Sequence, residues 1–134
     1  MGIAPRGRAL GVDRLIAAPP PVVWRLLTDV QAWPDWGPSV RRAELADGGT
    51  LLSAGARGTV WTVAGVRMPF TITEFAPGRR WAWTVSGVRA TGHEVIPTDG
   101  GCRVWFEVPW WAPAYLAVCV VALDRLAALA GSQQ

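Results

Sequence analysis

The chain has 134 residues, 51% of them apolar and 17% charged, with a net charge of +3 carried by thirteen arginines and no lysine. That length makes one domain, 1–134, with a generous core, and the scattered arginines lack the clustered stripe that nucleic-acid binding uses. One histidine, two cysteines without CxxC spacing (Cys102 and Cys119) and no glycine-rich phosphate loop argue against a metal site, a nucleotide and any other cofactor.

In chain order, residues 1–8 read as a flexible arm without the apolar stretch of a secretory signal. With two free thiols as the default, this points to a cytoplasmic protein. Leu10 to Ala17 reads as a first strand. Pro19-Pro20-Pro21 ends it and opens a short amphipathic helix that carries Val23, Leu26, Leu27 and Val30. A broken second turn follows, QAWPDW from Gln31 to Trp36, with Asp29 and Asp35 as cap or turn residues. Ser39 to Leu45 alternates as a strand, and a loop opened by Asp47-Gly48-Gly49 runs to about Ala56.

From Arg57 onward, turn signals recur every eight to twelve residues. They predict an antiparallel meander with strands at about 57–63, 66–74, 79–85, 88–96 and 102–110. Opposed residues in such a sheet share a face, so turn length assigns the faces. A two-residue turn at Ala64-Gly65 would pair Trp61 with Met68 and Thr59 with Phe70. A four-residue connection from Phe75 to Gly78 would pair Ile72 with Trp81 and Phe70 with Trp83. A turn at Asp99-Gly100 pairs His93 with Phe106. At Ser86-Gly87 a three-residue loop through Val88 keeps His93 on the face of Trp81 and Trp83, whereas a two-residue loop would not. The resulting inner face is aromatic and apolar; the outer one is Thr, Arg and Glu, with Val60, Ile96 and Trp105 as exceptions. One-sided antiparallel sheets show this segregation.

The last element is an apolar run, Trp110 to Ala130. Pro113 can start a helix there, and Tyr115, Leu116, Cys119, Val120, Leu123, Leu126 and Ala127 recur at helical spacing. Its uninterrupted part is too short for the ~20 residues of a membrane span, so stable insertion is not expected and a covering helix is. Its far side carries only Asp124 and Arg125, which leaves room for a homodimer contact. Residues 131–134 read as a flexible tail.

These features resemble, nearly end to end, the START-like (SRPBCC) superfamily, in particular its small polyketide cyclase/dehydrase and lipid-transport branch. The resemblance is carried by PPPVVWRLLTDVQAWPDWGPSV after the opening strand, Gly-Ala-Arg-Gly at 55–58, TITEFAPGRRWAWTV at 71–85, HEVIPTDGGCRV at 93–104 and the terminal helix. It implies an α+β helix-grip fold: a seven-stranded curved antiparallel sheet around a long C-terminal helix, two short helices between strands 1 and 2, and an apolar cavity between sheet and helix. It also implies a bacterial, biosynthetic setting and a hydrophobic ligand such as a polyketide or lipid.

Candidate site residues follow. His93, the only histidine, points inward by parity, and it is the one inward group with an ordinary pKa near neutrality; a buried core histidine is the plainer reading. Arg57, Arg89 and the Glu74/Arg79 pair share inward parity at strand ends, where they could ring a cavity mouth. Trp33, Trp36, Trp61, Met68, Phe70, Trp81, Trp83, Thr91, Phe106, Tyr115 and Cys119 are the expected ligand-binding residues. Three functions remain open: binding of a small hydrophobic molecule; cyclisation or dehydration of such a molecule by orientation plus acid–base help from His93, Arg57 or Arg89; and a dimerising or membrane-surface role.

Overall fold

A computed structural model describes residues 2–7 and 9–132. The elements are β1 (Gly2–Arg6), β2 (Ala9–Ile16), α1 (Pro20–Thr28), α2 (Trp33–Trp36), β3 (Val40–Leu45), β4 (Arg57–Thr62), β5 (Arg67–Ala76), β6 (Arg80–Val85), β7 (Val88–Thr98), β8 (Gly101–Pro109), a 3-10 turn (Pro113–Tyr115) and α3 (Leu116–Ser132). All strands join one antiparallel sheet in the order β1-β2-β8-β7-β6-β5-β4-β3. The α+β class, the sheet wrapped around the C-terminal helix and the two short helices before β3 match the expectation.

α3 buries Cys119, Ala122, Leu123, Leu126 and Ala130, a stripe at three- and four-residue spacing that faces the sheet. It packs on β2 and β8 with α1 and α2 beside it. By length and composition alone, 113–132 could also cross a membrane. Its first turn is 3-10 rather than α, and helix geometry persists through Ser132, so only Gln133 and Gln134 of the expected tail lie outside the described residues.

The sheet has eight strands, not seven, because most of the arm expected to be flexible is β1. Arg6 holds it down. Its guanidinium donates to Glu94 and, at 3.1 Å, to Glu107, and lies 4.5 Å over the Trp105 ring. Gly11 makes room for this contact, since a Cβ there would fall 2.7 Å from the Arg6 side chain and 3.0 Å from Trp105. Trp105 is thus an outer-face aromatic with a cation over it. Arg80 extends the network to Glu107 and Glu74, both at 2.7 Å.

Three registers differ from expectation. The β4–β5 connection closes with Thr62 N–H on the Val66 carbonyl, 2.9 Å, and Gly65 takes φ +83°. This is a three-residue turn, so Val60 opposes Met68 and Trp61 opposes Arg67. β4 is therefore turned over: Val60 is inside, while Trp61 and Arg57 are on the outer face, where Arg42 lies 4.7 Å over the Trp61 ring. Between β5 and β6 a bulge at Thr73 sets Ile72 against Trp83 and Phe75 against Trp81; Glu74 thereby turns outward to Arg80. At β6–β7 the turn has two residues, Ser86 and Gly87 at φ +52° and +76°, as a type I′ hairpin requires. A bulge opposite Trp83 then restores His93 to the face of Trp81. The β7–β8 register, with His93 opposite Phe106, is as expected.

Gly58, in the 55–58 motif, sits where β3, β4 and Phe70 converge: a Cβ there would lie 2.2 Å from the Glu44 carbonyl oxygen and 2.6 Å from the Phe70 ring. Backbone cannot yield as a flexible side chain can. Gly58→Ala should therefore cost about 2 kcal/mol, as overpacking does. Urea denaturation reads this directly, and an unchanged midpoint would mean that β3 shifts freely.

Candidate functional site

α1 ends at Thr28 with carbonyls that lack helical partners, and the WPDW turn supplies them. Trp33 Nε1 donates to the Leu27 carbonyl and Trp36 Nε1 to the Leu26 carbonyl, each at 2.9 Å. Both indoles are thereby fixed with their rings turned to the sheet. Trp33 stacks on Trp81 (centroids 5.4 Å, 7° between planes), and Trp81 stacks on His93 at 3.9 Å. Trp83, Phe70 and Phe106 meet this column edge-on or tilted. Such pairs contribute beyond their burial.

A hydrogen-bond relay ties the column together. Trp83 Nε1 donates to Thr91 Oγ1 (2.9 Å), the Thr91 hydroxyl to His93 Nε2 (3.1 Å), and His93 Nδ1–H to the Trp81 carbonyl (3.3 Å). This is the donor order in which every member is satisfied with a neutral imidazole. Burial drives the His93 pKa down from 6.5 to about 3, opposed by the Trp81 carbonyl and aided by the Arg80 charge. His93 is 3% exposed, so it is an uncharged core group with both nitrogens engaged. Among the described residues, Trp81 Nε1 is the one buried side-chain polar atom without a partner.

Two spaces adjoin the column. The inner one is about 40 Å³ and is lined by Trp33, Trp36, Trp81, His93, Phe106 and Cys119, among others; it has room for roughly two or three waters. The outer one is about 340 Å³ and is lined by Val60, Met68, Val85, Val108, Trp83 and Trp111, among others, within the ~300–1,000 Å³ typical of small-molecule pockets. Ser39, Val40, Trp83, Thr91 and Tyr115 border both. Ser39 Oγ and the Tyr115 hydroxyl are 2.8 Å apart, and burial raises the Tyr115 pKa, which keeps the phenol protonated. Burial likewise pushes the Cys119 thiol up to about 12, so it is not a ready nucleophile.

The structure thus gathers nine of the expected residues around the inner space: Trp33, Trp36, Trp81, Trp83, Thr91, His93, Phe106, Tyr115 and Cys119. Met68 lines the outer one. Phe70 is buried behind Trp33 and Trp83 and lines neither. Trp61 and Arg57 face outward, which corrects their expected inward placement. Arg89 opposes Thr84 and is exposed; it borders the outer space and also an outer-face depression shared with Arg6, Arg80 and Glu107. Arg79 is an exposed partner of Glu94 at 3.6 Å. Sequence reasoning missed Val60, Trp111 and Ser39, and it placed Val85 and Val108 on the inner face without naming them as ligand contacts. Val60 had left a trace, as one of three apolar exceptions, with Ile96 and Trp105, on a mainly polar face.

In the comparisons, the family model described as polyketide cyclase / dehydrase and lipid transport matches residues 10–130. Solved structures share the fold. A Mesorhizobium loti protein superposes with TM-score 0.73 at 18% identity, covering 95% of this chain and 99% of that one. A Rhodobacter sphaeroides protein gives 0.70 at 18%, covering 99% of both, and a Nitrosomonas europaea protein 0.68 at 19%, covering 97% and 98%. No match to a curated protein was found.

The depressed pKa of His93 has a thermodynamic consequence. Above pH 6.5 the imidazole is neutral both folded and unfolded. Between 6.5 and about 3, the unfolded chain takes up a proton that the folded one refuses. Stability therefore falls as pH drops through that window, by up to about 1.4 kcal/mol per unit. Denaturation midpoints measured from pH 7 to 5, above most carboxylate titration, should show this slope in the native chain and lose it in His93→Gln. An equal slope in both would mean that His93 is protonated in the fold.

Proposed function

The chain belongs to the polyketide cyclase / dehydrase and lipid transport family, and on that premise we propose that it binds a small, uncharged, hydrophobic molecule between the sheet and the start of α3. The observation that carries this is the outer cavity of about 340 Å³, walled by Val60, Met68, Val85, Val108, Trp83 and Trp111. The hydroxyls of Ser39, Thr91 and Tyr115 where it meets the inner space offer hydrogen bonds to a carbonyl or hydroxyl at the ligand's deep end. The one charged residue on the cavity lining is Arg89, which is exposed, so a charged group at the deep end would be buried unpaired, at a cost.

The family description also covers cyclisation and dehydration. General acid–base catalysis needs a group that reaches the ligand with a pKa near the working pH. His93 sits behind Thr91 with its nitrogens occupied and its pKa near 3, and Tyr115 is shifted upward. Binding and orientation are the functions this wall supports best; catalysis, where it occurs, would rest on placing a reactive chain beside neutral hydroxyl donors.

The test is a fluorescence titration with the neutral apolar probe N-phenyl-1-naphthylamine. The native chain should bind it saturably, and Met68→Trp, which fills the cavity without touching the column, should weaken binding roughly tenfold or more, given that such sites depend on buried contact, while leaving the thermal midpoint unchanged or higher. Equal affinity in both proteins would sink the proposed site.

A further inference from the structure

The outer cavity opens at one end of the sheet, and half of the large apolar side chains exposed among the described residues gather there. The registers Val40↔Thr62, Trp61↔Arg67 and Val85↔Val88, together with the end of β8, bring the β4–β5 turn, the β6–β7 turn, the entry to β3 and the segment after β8 to the same end. On these tips Val63, Val66, Val88, Trp110 and Trp111 are 52–69% exposed. They rise at separate points around the opening, and Trp111 also lines the cavity.

The charge at this end has one sign. Residues 38–42, 62–67, 85–89 and 109–115 contain Arg41, Arg42, Arg67 and Arg89 and no carboxylate. Arg42 is paired with Glu44; among the described residues Arg41, Arg67 and Arg89 make no salt bridge. Elsewhere Arg6, Arg80 and Arg103 are matched to Glu94, Glu107 and Asp13, while Arg25, Arg57 and Arg125 also make no salt bridge among the described residues; what sets this end apart is that its tips carry arginines and no carboxylate.

We propose that this rim docks peripherally on an anionic lipid surface, so that the cavity mouth faces the acyl layer and its ligand passes between bilayer and protein without crossing water. The inference rests on the hydrophobic-ligand reading above. Exposed tryptophans suit the boundary between head groups and hydrocarbon, and unpaired guanidiniums suit phosphate. A second copy fits less well, because a two-fold contact through this end would oppose like charges, and a rim of separate tips around an opening offers little flat area to bury.

The full chain would be tested by co-sedimentation with phosphatidylcholine vesicles, with and without phosphatidylglycerol. It should sediment with the anionic vesicles and be released by salt. The double variants Val66→Asp/Trp110→Ser and Arg41→Glu/Arg67→Glu, none of which lines the cavity, should each lower the bound fraction roughly tenfold or more. Both should still bind N-phenyl-1-naphthylamine normally, whereas Met68→Trp should lose the probe and keep the vesicles, which separates failure of docking from failure of the pocket. No sedimentation, or sedimentation indifferent to both double variants, would overturn the proposal. So would light scattering that shows a dimer which Val66→Asp/Trp110→Ser dissociates, since the rim would then belong to a second copy.

Discussion

The interior depends on one side chain performing two tasks. Trp33 closes the end of α1 through its indole N–H on Leu27 and presents its ring flat against Trp81. A helix end left without partners inside a core would be unfavourable, so the ring has little freedom to move. Trp36 repeats the arrangement one turn later, on Leu26 and against Phe106. Because these indoles are anchored at the helix, they enter the space between sheet and α3 and largely fill it. What remains beside His93 is about 40 Å³, and the useful volume is displaced to the mouth, where the walls change from aromatic column to aliphatic β-strand.

That displacement decides how His93 should be understood. A histidine facing an open pocket could exchange protons with a ligand. Here it is the third member of a relay that begins at Trp83 and ends on the Trp81 carbonyl. The relay holds a neutral tautomer, orients Thr91 and thereby Trp83, which forms part of the cavity wall. A buried polar network of this kind specifies one packing when fully satisfied. The contribution of His93 to binding is therefore the shape of the wall it stands behind.

The composition of the inner face was legible in the sequence where turn chemistry was unambiguous. Asp99-Gly100 set His93 against Phe106, and the helical spacing of Cys119, Leu123 and Leu126 marked the buried side of α3. Parity failed in β4, because Ala64-Gly65 reads equally well as a two-residue turn or as the end of a three-residue turn, and one residue moves Trp61 from pocket to surface. Val60 on the polar face was the sign that the register was wrong. At Ser86-Gly87 the inward placement of His93 was right although the turn was not, since a bulge supplied the missing residue. β1 was illegible for a different reason: beyond its ladder with β2, its hold on the sheet comes from Arg6 reaching Glu94, Glu107 and Trp105, contacts about a hundred residues away in sequence.

The nine tryptophans then separate by what each is given to face. Trp33, Trp81 and Trp83 face one another, Trp36 meets His93 and Phe106, and Trp24 packs against Phe75. Trp61 and Trp105 emerge on the outer face, and each lies beneath an arginine, Arg42 and Arg6. Those two guanidiniums also hold carboxylates, Arg42 with Glu44 and Arg6 with Glu94 and Glu107, so these half-buried rings are covered by cations already committed within the fold. Trp110 and Trp111 differ. They have no such cover, and they stand at an end of the sheet whose tips carry arginines and no carboxylate. The same two residue types that close the outer face against each other are left open together around the cavity mouth, exposed indoles beside arginines with no carboxylate on the same tips, and it is that combination which marks the mouth.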